Sequence, residues 1–310
     1  MSLEEAARCV VGSLTNKSLR CIRKLNLGVM TIKYVVVFED QKRWVLRFYP
    51  KNRNLVLDFE PDLLRRCVTE KGLAVPRVVG DSRTGPSAPL PYVVYEMIPG
   101  EPLSRHIGKI DDFALKQISK ELVSFVCKFG DMPTEGWGDL VDAWHGNSPT
   151  WDSFLIKTYN EGMQAIRKNT LYDDIAAKLD NILSCIEKYS CQLGQKLAWG
   201  DLSPDNVIID SAGKFQGVID LEGTIISDPL LSLGYLQARG VESRFYQAIA
   251  SSWPDEFTFE RRIQANIFAV VRLLRILKFI NEPLPTGASR SSLRLFFPGS
   301  LRALDALRAL

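Results

Sequence analysis

The sequence predicts an α+β fold of two lobes, a small β-rich N-terminal lobe over residues 1–97 and a larger, mainly helical lobe over 98–310. Three observations carry this reading. β-Branched and aromatic runs crowd the first third of the chain, apolar residues recur at helical spacing through most of the rest, and Pro99-Gly100 breaks the chain where the character changes. A length of 310 residues suits one large domain or two lobes sharing a cleft.

Taken in order, Ile32 to Phe38 and Arg43 to Tyr49 read as two strands joined by the polar turn Glu39-Asp40-Gln41, a hairpin. A helix is predicted within Phe59 to Glu70, ending at Lys71-Gly72 with Pro76 beyond. Arg77 to Gly80 and Tyr92 to Met97 read as two more strands, flanking a loop that holds Gly85, Pro86, Pro89 and Pro91. After Pro99-Gly100 three amphipathic series follow: Phe113, Ile118, Leu122, Val126 and Phe129; Ile175, Leu179, Ile182, Ile186 and Tyr189; and Ile263, Ile267, Val271, Leu274 and Leu277. A β-rich stretch, Leu197 to Asp220, interrupts the helices. The tail from Pro283 begins with Pro, Gly and Ser and ends in an apolar-periodic helix (Leu301, Leu304, Leu307, Leu310), placed either against the helical lobe or in a dimer contact.

Composition narrows the partners. The formal charge is +3, from 39 basic and 36 acidic residues with no basic tract, so nucleic acid is not an expected partner. The first twenty residues carry Glu4 and Glu5 and no long apolar stretch. The densest apolar runs, Tyr34 to Phe38 and Ile267 to Val271, are too short to cross a bilayer, so no membrane partner is expected. Six cysteines lie scattered without a C-x-x-C pair and read as reduced thiols. The expected location is cytoplasmic, and the oligomeric state stays open.

The chemistry concentrates in Trp199-Gly200-Asp201-Leu202-Ser203-Pro204-Asp205-Asn206, followed by Val207-Ile208-Ile209, a turn at Asp210 to Lys214, and Gly217-Val218-Ile219-Asp220-Leu221-Glu222. Asp201 and Asn206 are spaced as the catalytic Asp and metal-binding Asn of kinase catalytic loops. If the two apolar runs pair as a hairpin, Asn206 at its entrance and Asp220 at its exit lie side by side. A hard Mg2+ needs such converging oxygens, while nucleotide phosphates complete its shell. Singly, Asp205 and Asp210 read as turn residues. Glu222 is open between facing the metal and capping a helix.

These motifs, with Ser227-Asp228-Pro229, resemble the aminoglycoside phosphotransferase and choline kinase-like family, which carries H-G-D-L-x-x-x-N, I-D-x-E and a later D-P. The resemblance runs from about Leu25 to Leu236 and implies a protein kinase-like fold with ATP and Mg2+ as cofactors. It implies that Asp201 orients or deprotonates a substrate hydroxyl, that Asn206 and Asp220 hold metal, and that Asp228 braces the catalytic loop or caps the helix after it. The family's usual His is Trp199 here.

In the N-terminal lobe the same resemblance implies a nucleotide-covering loop at Gly28, with Val45 roofing the nucleotide and Arg47 clamping phosphate in place of the protein kinase Lys. Val45 and Arg47 share a strand face by alternation. The expected ion-pair partner of Arg47 is Glu60, set near a helix start by Pro61, with Glu70 as the alternative. Adenine is expected against the backbone around Glu96 and Ile98. The two histidines, His106 and His145, read as surface or loop residues, and the Trp144/Trp151 loop as a candidate substrate wall.

The function so implied is transfer of the γ-phosphate of Mg-ATP to a hydroxyl of a small molecule, a metabolite or natural product. The alternatives are an inactive nucleotide-binding pseudokinase, motivated by Trp199, and a protein kinase, disfavoured because H-R-D, D-F-G and A-P-E strings are missing. From Pro229 onward eleven basic residues face six acidic ones, with Arg261, Arg262, Arg272, Arg275 and Lys278 on or near the last long helix. That balance points away from polycationic aminoglycosides toward a neutral or less cationic acceptor.

Overall fold

Ser2 opens the first helix, α1 (Leu3–Leu14), by accepting the amide N–H of Glu5, whose carboxylate accepts that of Ser2 in return. The computed structural model describes residues 1–25, 31–50, 53–168, 170–180, 182–189, 193–254, 258–278 and 297–310. Behind α1 come β1 (Leu19–Leu25), β2 (Ile32–Phe38) and β3 (Arg43–Phe48). Then follow α2 (Asn54–Lys71), β4 (Val78–Asp81) and β5 (Tyr92–Glu96). The strands form one antiparallel sheet in the order β1-β2-β3-β5-β4.

Strand alternation gives this sheet two different faces. Tyr34, Val36, Phe38, Trp44, Leu46, Phe48, Tyr92 and Val94 pack with Ala6, Ala7, Val10 and Val11 of α1 into one apolar cluster. On the opposite face the register sets Lys33 across from Arg47, and Val35 across from Val45. Lys33 and Arg47 thereby stand on the face turned away from α1. Helix α1 carries no counterpart in the sequence expectation.

Helix α2 starts five residues before the expected stretch, so Glu60 and Pro61 lie in its second turn instead of at its start. A proline inside a helix forfeits one backbone hydrogen bond, at a cost of about 3 kcal/mol. Burial of Val56, Leu57, Phe59, Leu63 and Leu64 offsets it. The helix ends at Gly72 (φ +59°), whose N–H reaches the Val68 carbonyl at 3.1 Å.

The second lobe runs β6 (Glu101–Pro102), α3 (Asp112–Gly130), β7 (Trp137–Leu140), β8 (Gly146–Ser148) and α4 (Trp151–Ile166). Next are α5 (Asp173–Leu179), α6 (Ile182–Tyr189), β9 (Lys196–Ala198), β10 (Val207–Ile209), β11 (Phe215–Val218) and β12 (Ile225–Ser227). The chain closes with α7 (Leu230–Gln237), α8 (Arg244–Ser252), α9 (Phe259–Leu277) and α10 (Phe297–Arg308). Two small sheets, β11-β10-β6 and β8-β7-β12-β9, carry the loops between the helices.

The series Ile175 to Tyr189 forms two helices, because Asp180 ends α5 in an extended conformation (ψ 131°). Ile263, Ile267, Val271, Leu274 and Leu277 are buried along α9. The tail helix α10 docks on that same helix, Ser300 Oγ donating to the Ala269 carbonyl at 2.7 Å. No helix among the described residues is long and apolar enough to cross a membrane.

Candidate active site

The hairpin β10–β11 builds the site. Val207 faces Val218 and Ile208 faces Gly217, and beyond the ladder the Ile219 N–H reaches the Asn206 carbonyl at 2.9 Å. Asn206, at the end of a short 3-10 turn, and Asp220, just past β11, are thus neighbours. Asn206 donates its side-chain amide to Asp201 twice, to the main-chain carbonyl at 2.9 Å and to Oδ2 at 2.8 Å. With the NH2 so committed, its Oδ1 is the atom left for a cation.

Asp220 has φ +66°, left-handed backbone that a side chain rarely adopts. Trp199 helps to hold it: the indole N–H donates to the Asp220 carbonyl at 3.1 Å, and the ring is fully buried, edge-on to Phe125. At Gly200 a Cβ would stand 2.2 Å from the Gly223 carbonyl, so the loops bearing Asp201 and Asp220 touch backbone to backbone.

From the sheet above, Arg47 closes the arrangement. Its guanidinium donates to Thr31 Oγ1 at 2.9 Å, Glu60 at 3.1 Å, Asp220 Oδ1 at 3.3 Å and Glu222 at 2.7 Å. Burial opposes its charge, yet Glu222, Tyr49, Asp220 and Glu60 outweigh that and hold its pKa well above the ordinary value. Arg53 gives Glu222 a second cation at 2.9 Å. Burial would raise the Asp220 carboxyl, but Arg47, Lys33 and Arg53 keep it below the usual range. Glu60 moves the other way. Burial pushes its carboxyl up to about 7 despite Arg47 and the Tyr49 hydroxyl that donates to it.

A family model for the phosphotransferase enzyme family (APH) matches residues 22–262. The chain belongs to the phosphotransferase enzyme family. Membership makes it a kinase whose acceptor is a hydroxyl group. Among solved structures it is similar to a thermostable mutant of aminoglycoside phosphotransferase APH(4)-Ia in ternary complex with ADP and hygromycin B. The TM-score is 0.71 at 15% identity, covering 100% of this chain and 97% of that one. It is also similar to the GDP and kanamycin complex of APH(2″)-IIIa, with TM-score 0.67, 17% identity and 98% of each chain covered. No curated protein sequence matches it significantly.

In this phosphotransferase the structure draws together Asp201, Asn206, Asp220, Arg47 and Glu60. Val45 lies on the same sheet face as Arg47, buried. Glu96 ends β5 and Ile98 follows it, and Ile98 Cδ1 lies 3.0 Å from where a Cβ at Gly217 would stand, which sets the lobe connection against the hairpin. Gly28 lies outside the described residues. Glu70 pairs with Arg66 at 2.7 Å, which leaves Glu60 as the partner of Arg47. Asp228 accepts the Leu230 amide at 2.8 Å and pairs with Arg261 at 3.2 Å. It caps α7, and it also accepts the Gly194 amide at 3.3 Å, just before β9, the strand that leads to Asp201.

Trp151 is buried in the core, and Trp144 lies under Arg66 with the guanidinium 4.9 Å from the ring centre. Neither side chain lines the cavity at Asp201, but Asn147 of the loop between them does, so the loop contributes to the wall while its two aromatics pack elsewhere. That cavity, about 1030 Å3, reaches from Glu222 and Gly223 past Asp201 to Arg272, Arg275 and Lys278 of α9.

Sequence reasoning missed Arg239, which approaches Asp201 Oδ1 at 2.7 Å; it named Arg272 on the last long helix but not its approach to the same oxygen, at 3.6 Å. It also missed Lys33, whose pKa is lowered by burial and by Arg47 across the ladder. The alternation of β2 against β3 could have found Lys33, and the basic face of α9 pointed at Arg272. Nothing local marked Arg239.

Proposed function

We propose that this phosphotransferase moves the γ-phosphoryl group of Mg-ATP to a hydroxyl of a small molecule, with Asp201 as the proton acceptor. The observation that carries the reading is that Asn206 holds Asp201, that the Ile219 N–H ties the residue beside Asp220 to the Asn206 carbonyl, and that Asp220 in turn meets Arg47. The donor set suits the group: Asp220 and Asn206 offer hard oxygen ligands of the kind Mg2+ prefers. Mg-ATP supplies the transferable phosphoryl group and the cation that offsets its charge.

The residues divide the remaining work. Asn206 holds one oxygen of the Asp201 carboxylate and Arg239 the other, fixing its direction. Asp201 takes the proton of the acceptor hydroxyl as that oxygen bonds to the γ-phosphorus, and the bond to the β-phosphate oxygen breaks to leave ADP. Asp220 and Asn206 hold the cation, and Arg47 presents its fork to phosphate oxygens from the sheet side. Val45 roofs the base, which binds to the backbone around Glu96 and Ile98.

Trp199 supports an active enzyme, since its indole keeps an N–H on the Asp220 carbonyl. Thermal shift with Mg-ATP, run beside ADP release across hydroxylated acceptors, tests the reading. Retained nucleotide protection with no turnover on any acceptor would instead mark a nucleotide-binding pseudokinase.

A further inference from the structure

We infer that the acceptor is an anion, a small hydroxylated molecule whose carboxylate or phosphate ester docks beside Asp201 on the edge of α9 formed by Arg272, Arg275 and Lys278. The inference rests on the kinase reading above and adds the charge of the substrate. Spaced three apart, these residues fall within about 120° of arc on the helix, so one edge presents three cations to the cavity.

The balance of charge in the cavity wall favours anions. Asp201 and Glu222 belong to the end where phosphate is transferred, and Arg53 pairs with Glu222. Among the described lining residues, Arg53, Lys157, Lys168, Arg272, Arg275 and Lys278 stand against Asp58, Asp139, Glu161, Asp201 and Glu222, and Arg239 adds a further cation at Asp201. The cations also share carboxylates. Asp139 is approached by both Arg275 and Lys278, and Asp201 by both Arg239 and Arg272. Lys278 is shared in turn with Glu161 at 3.8 Å.

Tyr235 makes this edge rigid. The Arg272 and Arg275 guanidinium carbons lie 5.4 and 5.9 Å from its ring centre, and Arg275 donates to its hydroxyl at 3.2 Å. Arg272 also donates to the Tyr235 carbonyl at 2.5 Å. Burial, and after it the neighbouring Arg239, lower the Arg272 pKa to about 10 against the pull of Asp201, whereas Asp139 and Tyr235 raise that of Arg275. Preorganised guanidinium forks match carboxylate and phosphate, and a one-signed cleft concentrates ions of the other sign. A polycationic sugar would meet repulsion along the same edge. Because Arg272 stands 3.6 Å from Asp201, the anionic group should lie one or two bonds from the accepting hydroxyl or fold back to it.

The test compares acceptors of related frame and different charge: glucose 6-phosphate, gluconate and glycerol 3-phosphate; glucose and glycerol; glucosamine and kanamycin. Each is assayed for Mg-ATP-dependent transfer and for thermal protection of the protein loaded with Mg-AMP-PNP. At least one anionic probe should exceed every neutral and cationic one by tenfold or more in kcat/KM, and its protection should fall as NaCl rises from about 50 to 300 mM. Lys278→Glu, or Lys157→Glu at an exposed position, should cut that preference at least tenfold. Equal or better use of neutral or cationic acceptors overturns the inference, as does failure of every anionic probe both to accept phosphate and to protect. In either case, Mg-AMP-PNP protection that persists shows that the kinase reading stands; its loss removes both.

Discussion

The indole N–H of Trp199 holds the main-chain carbonyl of Asp220 at 3.1 Å, across the backbone contact of Gly200 with Gly223. A bulky aromatic thus does at this position what a smaller ring with an N–H could do, and fills the core beside Phe125 as well. Trp199→Phe keeps most of the packing and leaves a buried carbonyl without its donor. We expect a loss of about 1–3 kcal/mol in urea unfolding. Weaker Mg-dependent nucleotide binding should accompany it, because Asp220 is no longer pinned in its left-handed conformation.

Asp201→Asn should lower the rate of transfer by about 100- to 10,000-fold while the unfolding midpoint stays close to wild type. The carboxylate is a third exposed, at 33%, and asparagine keeps a side-chain oxygen toward Arg239 and the buried Arg272. Near-normal turnover in single-turnover assays would show that another group takes the proton.

Asp220→Asn isolates the metal-binding role. Asparagine tolerates positive φ better than most residues, so the backbone at +66° is preserved while the charge is removed. Calorimetric titration should show ATP binding in Mg2+ weakened at least tenfold, and binding in EDTA little changed. An equal loss in both media would place Asp220 outside the cation site.

Glu60 gives stability a measurable dependence on pH. Its carboxyl is raised from the ordinary value to about 7 in the folded chain, so the folded state binds the extra proton between those limits. Its contribution is fully present below the unfolded pKa, near 4.5, and is lost as pH rises toward 7. Glu60→Gln should therefore flatten the stability profile between about pH 5 and 7, by on the order of 1–3 kcal/mol, in denaturant titrations at stepped pH. An unchanged slope would mean that Arg47 keeps Glu60 ionised throughout.

Much of this was legible before the fold was known, for physical reasons that differ by residue. Asp201, Asn206 and Asp220 are joined by a short hairpin, and local pairing decides where its ends meet, so spacing alone brought them together. Val45 and Arg47 follow from the two-residue repeat of a strand. Glu60 was found with its helix misplaced, because Pro61 reads locally as a helix start and only burial of the apolar face shows that the helix passes through it. Arg239 and Arg272 meet Asp201 through the packing of α7 against α9, a tertiary contact with no short-range signal. The Asp228 cap on α7 was legible, but its pairing with Arg261 was hidden for the same reason, since Arg261 lies 33 residues farther along the chain.

Helix α10 lies along α9, tied by Ser300 to Ala269 and by Asp305 to Lys178 of α5. The helix that carries Arg272 and Arg275 is therefore gripped from behind by α10. Deleting α10 would spare every residue named at the transfer centre and still loosen the footing of those two guanidinium groups.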